Sequence, residues 1–378
     1  MLIRHATAYL GGQFVPDTDV RIMHGEVQEI GSGLTKGLYE SEMDLGGDYL
    51  LPGFVDVHTH AFRGHDAMDG EAAVRQMAKD LYREGVAAFL PTTMSASVDA
   101  TRIAVDGIRA VKSRPDRRAA KVLGAHMEAP YLNQAKCGAQ RKEFLHAPSV
   151  PEFLSICANH QEDVRIITVA PELPGAAAFI RAVAQMGVVV SIGHTNATAE
   201  QTHEAASDGA THVTHTFNAQ PPLHHRDPGV PGAAMTDDRL YAEFIGDGVH
   251  LHPDVIRLMI RAKGVEKVVA ITDAMEAAGL PDGEYQLGGQ AVYVRGGEAR
   301  LANGTLAGSV LTMHRALWNM IHLFGVEPEK AVRMTTMTPA ESIGEKVIGH
   351  LVPGTPAPLT RWSKGWQMVE ILDEHSAD

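Results

Sequence analysis

The stretch LPGFVDVHTH, residues 51–60, decides the fold. Pro52 and Gly53 mark a turn, and Phe54, Val55 and Val57 favour a strand. Side chains alternate faces along a strand, so His58 and His60 share one face, with Asp56 in the same register. Two imidazoles at a strand end can both reach one divalent cation at the ~2.0–2.1 Å of a zinc–nitrogen bond. Three polar side chains on one face are costly in a core unless something uses them. An isolated His-x-His also arises by chance, so the rest of the chain must converge on this point to give it meaning.

Working outward, apolar runs ending in polar residues recur at 54–60, 86–93, 122–128, 164–172, 188–194, 211–218, 241–250 and 268–273. Helix-like segments lie between them, among them 71–84, 176–185 and 199–207. Strands alternating with helices in this number predict an α/β fold, a (β/α)8 TIM-type barrel. A doubly wound open sheet would place a glycine-rich phosphate turn after its first strand, where this chain reads His-Thr-His. A glycine-rich insertion with short strands follows at 283–308, then helices at 310–324 and 328–336. Short strands at 3–10, 20–23 and 27–30, and again at 369–372, predict a small β-sandwich subdomain made by both chain ends. The implied division is residues 1–50 and 345–378 for the subdomain and 51–344 for the barrel.

Catalytic groups of such barrels sit at the C-terminal ends of the strands. Glu128, His194, His215 and Asp273 end the third, fifth, sixth and eighth runs. Period-two alternation places each at the end of an inward row: Val190, Ile192, His194; Val213, His215; Val269, Ile271, Asp273. Together with His58 and His60 they form a set of imidazoles and carboxylates suited to zinc, iron or another divalent ion. Such an ion acidifies water or polarises a carbonyl, and a carboxylate beside that water serves as general base. Asp273 is assigned that role, being a ligand only in the plainer reading. The loop TFNAQPPLHHRDPGVPG, 216–232, carries Asn218, His224, His225 and Arg226, and Arg226 offers forked donors to an anion such as phosphate. Asp247 and His250 end the seventh run, while His252 precedes Pro253 and reads as a helix start. His65 reads as solvated, His126 as a hydrogen-bonded core residue beneath Glu128, His212 as out of phase with His215, and Cys137 as a loop thiol. His5, His146, His160, His350 and His375 read as ordinary surface residues.

Composition narrows the class. The 378 residues carry a net charge of -13, with 44% hydrophobic and 21% charged residues. Nucleic acid and anionic membranes both select basic surfaces, so neither is an expected partner. Two cysteines, Cys137 and Cys157, fit a reducing compartment, and the N-terminal MLIRHATAYLGGQF lacks an apolar signal core. Cytoplasmic residence is the expectation.

Taken together, LPGFVDVHTH, GAHMEAPYLN, ITVAPE, VSIGHTNAT, THVTHTFNAQPPLHHRDPG, GDGVHLHP, ITDAMEAAGLPDGEY and LAGSVLTM resemble the N-acetylglucosamine-6-phosphate deacetylase family of the amidohydrolase superfamily. The motifs run in family order over roughly residues 50–340. The resemblance implies hydrolysis of the acetamide of an N-acetylhexosamine 6-phosphate in amino-sugar catabolism. It implies Glu128, His194 and His215 as principal metal ligands, with His58 and His60 placing the chain among members that hold a second ion. Asp273 becomes the proton acceptor and donor. Ala139, Gln140, Asn218, Ala219, Arg226, Asp247, His250 and the 306–308 backbone (Leu306, Ala307, Gly308) become substrate contacts. A homodimer is implied, the neighbouring subunit completing the phosphate site.

The chain departs from the family at KCGAQ, where Gln140 stands in place of a histidine. Glutamine donates hydrogen bonds but carries no positive charge, so oxyanion stabilisation is weakened or the substrate altered. Ala61, Phe62 and Arg63 replace a glycine run and add bulk and charge near the mouth, and GHLVPGTPAPL lacks an aspartate expected after Ala. The alternatives are a deacetylase of a related N-acyl sugar phosphate, such as the galactosamine isomer, and a catalytically weak metal-binding sensor, against which Asp273 speaks.

Overall fold

The computed structural model describes residues 1–376. Its centre is a ring of parallel strands: Phe54–Thr59, Val86–Thr93, Ala125–Met127, Val164–Val169, Val189–Ile192, Ala210–Val213, Tyr241–Ile245 and Val268–Ile271. From the first to the eighth, each strand pairs with the next in chain order. The ring closes where the Asp273 amide donates to the His58 carbonyl at 2.9 Å and the His60 amide to the Ala274 carbonyl at 2.9 Å. The strands end earlier than the apolar runs suggest. The seventh stops at Ile245 and the fourth at Val169, and the polar tails of those runs form loops above the ring. The third is split, with Lys121–Val122 pairing separately to the second. Helices flank the strands, including Glu71–Tyr82, Val98–Lys112, Ala176–Gln185, Ala199–Asp208 and Pro253–Lys263. Thr198 opens one with a capping box to Gln201, and Gly209 closes it at φ 117°.

Both chain ends join in one continuous seven-stranded sheet. Tyr49–Pro52 pairs with Leu2–Leu10 on one side and with Leu359–Trp362 on the other. Buried Ile3, Val20, Ile22, Leu50, Leu359 and Leu372 form its core. The insertion folds as three antiparallel strands, Gly283–Leu287, Gln290–Arg295 and Glu298–Leu301, that lean over the barrel mouth. Among the described residues no helix is long and apolar enough to cross a membrane.

Candidate metal and catalytic site

The six predicted ligands meet at the barrel mouth in two triads whose donor atoms lie close together: His58, His60 and Asp273, and Glu128, His194 and His215. All six are buried. Glu128 joins the triads. Its Oε1 is 3.0 Å from Nε2 of both His194 and His215, and its Oε2 is 3.3 Å from His60 Nε2. Asp273 Oδ1 is 3.1 Å from His60 Nε2 and 3.5 Å from His58 Nε2.

Two of the ligands reach the mouth by a different route from the one alternation gives. Val190, Ile192 and Val213 pack in the same apolar cluster as Ile180 and Val183 of the surrounding helices. The interior is lined instead by Ser191 and Thr214, whose hydroxyls meet at 2.6 Å, with Thr168 and His126 continuing the chain of hydrogen bonds. The strands end at Ile192 and Val213, and left-handed backbone at His194 (φ 45°) and His215 (φ 28°) turns the imidazoles into the mouth. Asp273 also sits at φ 51°, although Val269 and Ile271 below it do face the interior with Ile166 and Ile245. Such conformations cost about 1–3 kcal/mol each and concentrate at functional sites. Gly308, at φ +61°, lets a neighbouring segment pass close: a Cβ there would lie 3.0 Å from the Asp273 carbonyl.

The hydrogen bonds fix the tautomers in favour of a cation. His60 Nδ1 faces the Thr92 carbonyl at 3.2 Å, His194 Nδ1 the Lys136 carbonyl at 2.8 Å and His58 Nδ1 the Glu243 carboxylate at 3.3 Å. Those partners only accept, so each Nδ1 donates, and each Nε2 presents a lone pair inward. Apart from the Gln140 N–H on Glu128 Oε2, lone pairs and carboxylate oxygens thus face one another, an arrangement that a divalent cation satisfies. Without an ion the site draws protons. Burial opposes charge on His58 and His60, but Asp273 and Glu128 outweigh it and raise both imidazoles. Burial also works against charge on Asp273, but His58 and His60 hold its carboxyl down at about 2.

Glu243 was not foreseen. It is fully buried in the middle of the seventh strand, and its Oε2 touches His58 Nδ1 and the His215 amide, both at 3.3 Å. The available signal was one charged residue inside the apolar run YAEFI. Asp56 does not reach the ligands; it accepts from the Thr272 hydroxyl at 2.5 Å and from the His58 and Thr272 amides. His126 is the predicted core residue, donating to the Val57 carbonyl at 3.1 Å and meeting Thr168 at 2.8 Å, and burial holds its pKa well below normal. His212 is buried against Tyr241, and burial pushes its pKa down to about 3.

His60, Asp273, Glu128, His194 and His215 form the floor of a cavity of about 460 Å³. Ala139, Gln140, Asn218, Ala219, His250, Leu306 and Gly308 line it as expected. His250 is oriented by Asp247, whose Oδ2 lies 2.7 Å from its Nδ1. Asp247 itself is not on the wall, because its carboxylate is turned to the Val249 and His250 amides. Ala307 points away into the apolar core of the insertion, and Arg226 sits on an exposed loop tip outside the cavity of its own chain. Lys136, Arg300 and Thr305 line the wall and were missed, the last two because they lie in the insertion. The bulk expected at 61–63 does not enter: Phe62 is buried and the Arg63 guanidinium bonds Glu84 at 2.6 Å. His65 is half-buried in a short strand pair with Phe62 and not a solvated loop residue, and His350 is likewise half-buried. His252 caps its helix, accepting from the Asp254 amide at 3.2 Å. Cys137 is half-buried beside Gly138 and does not line the cavity.

The amidohydrolase family profile matches residues 49–374. The chain belongs to the amidohydrolase family. As an amidohydrolase it is 36% identical to an N-acetylgalactosamine-6-phosphate deacetylase of Escherichia coli O157:H7, over 95% of this chain and 94% of that one. It is 34% identical to an N-acetylglucosamine-6-phosphate deacetylase of Lysinibacillus sphaericus, covering 99% and 94%. Among solved structures, a mutant N-acetyl-D-glucosamine-6-phosphate deacetylase of Mycobacterium smegmatis bound to N-acetyl-D-glucosamine 6-phosphate superposes with a TM-score of 0.90 at 29% identity, over 99% of this chain and 98% of that one.

Proposed function

We propose that this amidohydrolase cleaves the acetamide of N-acetyl-D-glucosamine 6-phosphate to glucosamine 6-phosphate and acetate. The observation that carries the reading is the pair of donor triads sharing Glu128, on the floor of a sugar-sized cavity into which Asp273 faces. Relatives named for this substrate at matching length support it. Glu128, His194 and His215 would hold one zinc ion, and His58, His60 and Asp273 a second. The chemistry such ions supply when bound is acidification of a water and polarisation of an acyl oxygen.

The chain's own residues do the rest. Asp273 accepts the proton of the attacking water and returns it to the departing amine. His250, fixed by Asp247, and the 218–219 and 306–308 segments position the sugar. Arg226 stands on an exposed loop and would reach the phosphate of a neighbouring subunit's substrate in a homodimer. The two free thiols fit a cytoplasmic setting.

A second reading, the galactosamine epimer, is favoured by the 36% identical relative named for it. Acetate release from both N-acetylhexosamine 6-phosphates and from their unphosphorylated forms tests the proposal. The expected result is turnover of N-acetylglucosamine 6-phosphate with the highest kcat/KM. Preference for the galactosamine epimer selects the second reading, and no acetate from any phosphorylated sugar overturns both.

A further inference from the structure

Gln140 is 5% exposed, and both ends of its amide are taken. Its Oε1 accepts from the Ser95 amide at 2.7 Å, and its Nε2 donates to Glu128 Oε2 at 2.6 Å and faces Met94 Sδ at 3.5 Å. Chemistry fixes this orientation: the Ser95 N–H requires the oxygen and the carboxylate requires the NH2. The loop that carries Gln140 is tied down beside it, the Arg141 amide donating to Ser95 Oγ at 2.6 Å. A glutamine so placed has one N–H committed to the carboxylate and the other turned to the Met94 thioether.

The partner it holds is the one carboxylate that belongs to both sides of the site. With Oε2 pinned by Gln140, Glu128 presents Oε1 toward His194 and His215, each 3.0 Å away. Hydrogen-bond partners of this kind set the orientation and basicity of metal ligands, and their loss typically costs about 10–100-fold in metal affinity or activity.

We propose that Gln140 is a positioning residue that orients Glu128 toward the cation, and not a contact for the substrate. The inference rests on the metal-site reading above.

The test uses Gln140→Met, which keeps length and packing but cannot donate, and Gln140→Leu, which keeps an apolar side chain there and removes both amide groups. Zinc affinity is measured by competition with a chelator, kcat and KM at saturating zinc with N-acetylglucosamine 6-phosphate, and folding by thermal melting. The expected result is zinc affinity lowered about 10-fold or more in both variants, with KM within about threefold of wild type. Unchanged zinc affinity with a raised KM makes Gln140 a substrate contact and overturns the inference. A lowered melting temperature with unchanged zinc affinity makes it merely structural and also overturns it. Wild-type protein that binds no zinc removes the metal-site reading itself, a distinct failure.

Discussion

The barrel mouth and the sheet built by the two chain ends follow opposite rules. In the sheet, Leu2, Ile3, Val20, Ile22 and Leu359 are fully buried apolar residues on regular strands. In the mouth, His58, Glu243, Glu128 and Asp273 are also buried, yet they are titratable, with carboxylates set against imidazoles. The left-handed residues of the sheet region, His5, Asp17, His24 and Trp366, serve bends and turns, whereas those of the mouth include three candidate ligands, His194, His215 and Asp273, and the cavity-lining Ala219. Burial of apolar area stabilises the sheet. Burial of unpaired charge destabilises the mouth unless a cation completes it. One region therefore holds the fold and the other spends stability on chemistry, and substitutions in the two should separate cleanly.

The largest separation is expected at Asp273. Asp273→Asn should lower kcat for acetate release about 10³-fold, the scale of a lost general base and acid, while the melting temperature stays at or above that of wild type. Steady-state kinetics with calorimetry on the same preparation checks it; retained turnover removes Asp273 from the proton transfers. The converse belongs to Trp362, which is 1% exposed, meets Phe54 edge-on with centroids 6.3 Å apart, and donates through Nε1 to Thr360 at 3.0 Å. Trp362→Ala should cost about 3–5 kcal/mol in denaturant unfolding and leave kcat of the folded protein unchanged. A smaller effect is expected at Arg226, whose loop contributes to neither core. Arg226→Ala should raise KM for a 6-phosphorylated substrate about 10–100-fold, as loss of a charge-assisted contact worth about 1.5–3 kcal/mol does. It should leave melting and the KM for unphosphorylated sugar alone. Equal change for both sugars ends the phosphate assignment.

How much of this was legible divides along the same line. Apolar runs with polar ends located the barrel strands because a strand covered on both faces is largely apolar. The six candidate ligands were legible as residue types at strand ends. The path by which His194 and His215 arrive was not, because alternation holds only while the strand continues, and a single left-handed residue resets it. Glu243 was hidden inside a strand whose other members are core. Gln140 was read through the histidine it replaces, and its actual partners, Ser95 and Glu128, are 45 and 12 residues away in the chain. The bulk predicted at 61–63 was misplaced because Glu84, which holds Arg63 aside, lies 21 residues away in the chain.

The central claim is that a cation completes the mouth between Glu128, His194 and His215. Anomalous diffraction at the zinc edge from crystals of zinc-loaded protein tests it most directly. The account predicts a peak about 2.0–2.2 Å from a Glu128 oxygen and from Nε2 of His194 and His215, next to Asp273. Fully active crystals with no peak at that point would contradict it.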